Sequence, residues 1–191
     1  MLEKRAGVRG NSSLMAREHL LSYGTFCEAH ASYGGNHVAS SYVAIAVRVG
    51  AAKPYIGSAD ALKRSVLAAK SIVHADPAKG GASGVYFAKV LERLGIADQM
   101  KPRTIQVPGA QAAEVVARGE AEMGVAQASE IVPIAGAQLV GPLPGDLNNV
   151  TVFSAGVGPA SKYPAAAKAL IQYVTGPVGA GALKSKGLDP A

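Results

Sequence analysis

Tryptophan is absent from the 191 residues, cysteine occurs once and phenylalanine three times. A core from this composition must be assembled from Ala, Val, Leu and Ile. A single thiol, Cys27, excludes an internal disulfide and any site built on a cysteine cluster. No apolar stretch approaches the ~18 residues that a membrane-spanning helix needs. The opening MLEKRAGVRGNSSL carries positive charge with no apolar segment behind it, so it does not read as a secretory signal. Charged residues make up 17 % of the chain, and they do not gather. No basic run interleaves with aromatics, which excludes a nucleic-acid partner of the usual kind.

What is present is a globular composition: 49 % apolar residues and a net charge of +6. That charge suits a small anionic ligand, and it equally suits a solvated basic surface. Residues 1–40 stand apart. They hold His19, His30 and His37, spaced by eleven and seven residues, which is not the spacing of a metal motif on one helix, so no metal is expected. Ser12 or Ser13 as N-cap and Gly24 as stop outline one short helix. No strand pattern shows in 25–40.

From residue 41 the pattern sharpens into alternating strands and helices. SYVAIAVRVG reads as a strand apolar on both faces. SADALKRSVLAAK follows as a helix with Ser58 as N-cap. Further strands are expected near 71–75, 103–107 and 122–126, then in AQLVGPLP and NNVTVFSAGVG. Helices are expected at 84–94, in AQAAEVVARGE, and in YPAAAKALIQYVTG with Pro164 in its first turn. ASEIV reads as a helical turn, and a last short helix follows residue 176. Strands alternating with helices of this length argue for an α/β fold with a wound, mainly parallel sheet. Two Pro/Gly-rich stretches, 49–57 and 143–150, flank a block of about 90 residues, which is domain-sized.

The stretch HADPAKGGASGVYFAKVLERLG, residues 74–95, carries the chemistry. It places a glycine-rich loop between a strand end and a helix start. The first turn of a helix holds N–H groups with no intrahelical partner at the positive end of its dipole. Glycines allow close approach, and Ser83 adds a hydroxyl. Gly81, Ala82, Ser83, Gly84 and Val85 are therefore candidate anion ligands. The loop lacks the Lys-Ser/Thr ending of a P-loop and the spacing of a dinucleotide fingerprint. It also lacks the residue that a serine nucleophile elbow needs between Ser83 and the following glycine. A second strand end, GVAQASEI, would bring Gln127 and Ser129 to the same sheet edge. Two readings of GGASG stand side by side: an anion site, and a tight strand-to-helix turn. Lys79 is a ligand contact or a solvated charge. Glu130 reads as a helix-end or surface acid. No catalytic residue is assigned, although His74, Lys79 and Glu130 are the nearby groups that an acid–base reaction would draw on.

Four stretches, DPAKGGASGVYFAKVLERLGIADQMKP, VARGEAEMGVAQASEIVP, LVGPLPGDLNNVTVFSAGV and AAAKALIQYVTGPVGAGALKSKGLDP, resemble the bacterial molybdate-binding, substrate-binding-protein-like family in order and spacing. The resemblance runs from about residue 41 to the end. It implies a periplasmic-binding-protein-like fold in which two α/β lobes clasp a small anion, oxyanion or carboxylate, without a cofactor. Residues 58–142 would form the second lobe. Residues 41–57 and 143–191 would supply hinge strands and part of an incomplete first lobe, behind a divergent segment 1–40. The implied partners are the anion and the membrane component of an ABC transporter. The implied location is the periplasm, or the cytoplasm if the chain is complete without a leader. A branch of the family resembles aconitate isomerase, so an isomerase of a polycarboxylate is the alternative. Where molybdate binders place a tyrosine, this chain has Ala126-Gln127, which leaves the anion open. An incomplete first lobe is also expected to leave residues 1–40 poorly packed and the apolar faces of strands 42–49 and 150–157 uncovered, favouring self-association.

Overall fold

The computed structural model describes residues 36–79 and 81–191. The expectations placed on 1–35, among them the short helix, His19, Cys27 and His30, lie outside the described residues. Seven strands form one mixed sheet: β1 (Asn36–Arg48), β2 (Ile72–Ala75), β3 (Thr104–Val107), β4 (Met123–Gln127), β5 (Ala137–Pro142), β6 (Val150–Ala155) and β7 (Asp189–Pro190). The path β3-β2-β4-β1-β5 is the main sheet, with β6 and β7 also on β1. The helices are α1 (Ala59–Ala68), α2 (Ala82–Arg93), α3 (Ala97–Met100), α4 (Ala112–Arg118), α5 (Ala128–Ile131), α6 (Pro164–Thr175) and α7 (Pro177–Ser185).

The strands expected near 71–75, 103–107 and 122–126 are β2, β3 and β4, and they are parallel: β2 pairs with β3 on one side and β4 on the other. β1 runs antiparallel to everything it touches. It also changes partners along its length. Tyr42 opposes Val150 of β6, whereas Val43 opposes Gln127 of β4. The chain returns from β5 to β6 through 143–149, and Val43 is gripped there from both sides: its N–H donates to Asn149 O and its carbonyl accepts from Leu143 N.

Side-chain alternation along the strands explains the two cores. Val43 and Ile45 of β1, Ile72 of β2 and Val125 of β4 face α1 and α2, meeting Leu62, Val66, Phe87 and Val90. The intervening Ala44, Ala46, Val73 and Ala126 face α4 and α5, meeting Ala113, Val116 and Ile131. This second face is made of small residues, so α4 lies close: a Cβ on Gly124 would stand 2.7 Å from Val116. Ser58 caps α1 as expected, its hydroxyl accepting from Ala61 N at 3.1 Å.

Two expectations are corrected. Residues 36–40 do form strand, paired with β6 and β7, and Ala39 is buried. Nor is the 42–49 strand uncovered. Residues 43–47 are buried because β4 and β5 flank them and helices cover both faces. Exposed apolar side chains are Val49 and Val150 at strand ends, Tyr55, Ile105 and Val132, and a group on and beside α6 and α7 at Tyr163, Leu170, Tyr173 and Val178.

Candidate functional site

Because β3, β2 and β4 are adjacent and parallel, the three loops that leave their C-terminal ends converge on one edge of the sheet, where open α/β folds place ligands. A pocket of about 180 Å³ lies there. The β2 loop contributes Ala75, Gly81, Ala82 and Ser83; the β3 loop Gly109 and Ala110; the β4 end Gln127 and Glu130. That volume is below the ~300–1,000 Å³ of sites for drug-sized ligands and fits a small ion or a compact carboxylate.

One wall is the start of α2. The helix opens at Ala82, two residues before the sequence pattern suggests, with extended Gly81 as N-cap and no side chain capping it. The N–H groups of Ala82, Ser83 and Gly84 precede the first intrahelical bond, which Val85 N makes to Gly81 O at 2.9 Å. Val85 thus spends its donor inside the helix and does not line the pocket. Gly84 does not line it either. It is buried against β2, where a Cβ would run into the Ala75 carbonyl. Gly81 is packed in the same way, 2.5 Å from the Ala75 methyl for a built Cβ. Both glycines let helix approach strand, and Gly81 also lines the pocket.

The facing wall is the end of β4. Gln127 is 4 % exposed, and its Nε2 donates to Thr151 Oγ1 of β6 at 2.8 Å. Gln127 and Glu130 stand as a capping box, with Glu130 Oε2 accepting the Gln127 N–H at 3.1 Å. The return contact runs from the Glu130 N–H to the Gln127 side chain and completes the box. Ser129 points its N–H the other way, to Ser41 Oγ at 3.2 Å, and is not part of the lining. Four of the seven candidate ligands, Gly81, Ala82, Ser83 and Gln127, therefore meet at the pocket. Sequence reasoning missed Gly109 and Ala110, although a third parallel strand end on the same edge implied a third loop.

The remaining ionisable candidates separate. Lys79 is 63 % exposed, pairs with Asp76 at 3.8 Å and is not in the lining. Glu130, read as a helix-end acid, is that and also a pocket residue. His74 is in the core. Its Nδ1–H donates to Ala75 O at 2.8 Å, and its ring meets Phe87 edge-on at 5.7 Å. Burial depresses its pKa below the ordinary 6.5, with the Ala75 carbonyl and Asp76 opposing. The unfolded chain therefore takes up a proton first. The stability contributed by neutral His74 is complete above about pH 6.5 and is lost as pH falls below it, by up to about 1.4 kcal/mol per pH unit. Urea unfolding at pH 7.5 and 5.0 checks this: the stability advantage of wild type over His74→Gln is expected to shrink at the lower pH. An unchanged difference would contradict it.

Among the described residues no group of three or more His, Cys, Asp or Glu is placed to hold a metal ion. No helix among them is long and apolar enough to cross a membrane.

Comparison with known proteins agrees with this geometry. The profile of the family described as "Bacterial extracellular solute-binding protein" matches residues 28–189. An aconitate isomerase from Pseudomonas sp is 36 % identical over 151 residues, covering 78 % of this chain and 56 % of that protein. The chain thus spans little more than half the length of that curated relative. Among solved structures, a substrate-binding domain assigned to a molybdenum ABC transporter of Clostridium difficile superposes with a TM-score of 0.66 at 16 % identity, over 87 % of this chain and 72 % of that one. The periplasmic molybdate-binding protein of Azotobacter vinelandii gives 0.60 at 19 % identity, over 82 % and 68 %. At these identities the likeness is one of fold.

Proposed function

The chain belongs to the bacterial extracellular solute-binding protein family, and from that premise we propose that it binds a small anion at the start of α2 and presents it to the membrane component of an ABC transporter. The observation that carries this reading is the pocket itself. The first turn of α2 and the Ser83 hydroxyl face a buried amide, Gln127. Among the described residues no Lys or Arg lines it. Binding thus rests on helix-start N–H groups, the dipole and hydroxyl donors. In this reading 58–142 is one lobe and 41–57 with 143–191 belongs to the other, β1 and 143–149 being the connections. The site of action is outside the cytoplasmic membrane.

Calorimetric titration with molybdate, tungstate, sulfate, phosphate, citrate and aconitate tests the reading. Against the tightest of these, Ser83→Ala is expected to lose about 1.5–3 kcal/mol, as for a hydrogen bond to a charged group. Unchanged affinity would return GGASG to a plain turn.

The aconitate isomerase relative supports a second reading, an isomerase of a polycarboxylate on the same scaffold. Glu130 is then the group that exchanges a proton with the bound carbon acid. Deuterium uptake by aconitate in heavy water separates the two: exchange favours the enzyme, and tight binding without exchange favours the binding protein.

A further inference from the structure

Gln127 lines the pocket while almost fully buried, and most of its hydrogen-bonding capacity is spent. Its backbone N–H goes to Glu130 Oε2 at 3.1 Å. Its side chain takes the Glu130 N–H in the capping box, a contact that only the amide oxygen can accept. One Nε2 hydrogen goes to Thr151 Oγ1 at 2.8 Å. A primary amide carries two such hydrogens, so one donor remains. Thr151 stands on β6, is itself buried and does not line the pocket.

We infer that Gln127 meets the anion as a donor, through its second Nε2 hydrogen, and that Thr151 is the positioning residue that holds it in that orientation. The inference rests on the anion-site reading and extends it to a residue outside the pocket. Turned over, the amide would present a lone pair to the anion and lose its capping contact. The Glu130 N–H can only donate, so it decides which end of the amide is oxygen, and Thr151 anchors the nitrogen end. Gln127 then adds a donor across the pocket from Ser83 and the first turn of α2. Donors on opposite sides suit a ligand that accepts on opposite faces, as an oxyanion or a carboxylate does.

Calorimetry at pH 7 with molybdate, sulfate and citrate tests this on the tightest of the three. Gln127→Met keeps the side-chain length, removes the N–H groups and is expected to lose at least ~10-fold in affinity. Thr151→Val keeps the shape without the hydroxyl and is expected to lose at least ~5-fold, with Thr151→Ser close to wild type. In the Gln127→Met background, Thr151→Val is expected to cost less than ~2-fold more, because the group it positions is gone. An equal loss in both backgrounds, or a Thr151→Ser as weak as Thr151→Val, would make Thr151 a packing residue and overturn its positioning role. Unchanged affinity in Gln127→Met or in Thr151→Val would overturn the inference and leave the α2 donors standing. Nuclear magnetic resonance of the wild type needs no variant. Of the two Gln127 side-chain N–H signals, one is expected to shift strongly on saturation and the other, bonded to Thr151, to shift less; two unmoved signals would overturn the inference. Absence of binding by all three anions would sink the anion-site reading and this inference with it.

Discussion

Gly84→Ala is expected to destabilise the fold by about 3 kcal/mol or more, although alanine is the better helix former. The reason is a backbone contact. Gly84 lies in the first turn of α2 directly over the end of β2, and an added methyl would collide with the carbonyl of Ala75. A side chain could rotate away, but this neighbour is main chain inside a buried strand, so helix or strand must move. Moving α2 would disturb Phe87, Val90 and Leu91, which fill one core. At roughly 2–4 °C per kcal/mol for a chain of this size, the thermal midpoint should fall by about 6–12 °C. Gly158→Ala is the control, because a Cβ there meets nothing within 4 Å. Equal midpoints for the two variants would contradict the close packing of α2 on β2.

Ser83→Glu is expected to do the opposite: keep the fold and abolish binding. An acid in the first turn of a helix is favoured by about 0.3–1 kcal/mol. Ser83 borders the pocket, which gives the longer side chain room. Its carboxylate would take the donors meant for the ligand and repel a second anion from them. Affinity for the tightest anion should fall at least ~100-fold, equivalent to about 2.8 kcal/mol. Titration beside thermal unfolding reads both effects. Retained affinity would move the site elsewhere, and a collapsed midpoint would make Ser83 a packing residue.

These two variants also mark how far the sequence could be read. Elements governed by local rules were legible: Ser58 before α1, Pro164 opening α6, and the apolar runs that became β2 and β4. The convergence of Ser83 and Gln127 followed from topology, since parallel strands put their following loops on one edge. Long-range pairing was not legible. Residues 36–40, NHVAS, have no marked alternation and become strand because β6 and β7 supply partners. The packing role of the glycines was not legible for a similar reason. A glycine at a ligand and a glycine at a strand look alike in sequence, and only the position of Ala75 shows that Gly81 and Gly84 pack against β2. Glu130 carries two roles, cap and pocket wall, and its sequence neighbours disclose the first alone.

The central claim is that a small anion sits on the first turn of α2, facing Gln127. Amide nuclear magnetic resonance during titration with the tightest-binding anion tests it most directly. The account predicts the largest shifts at the N–H groups of Ala82 and Ser83, with the Gln127 side-chain amide responding at the same concentration. Saturable shifts elsewhere, with those three signals unmoved, would contradict it.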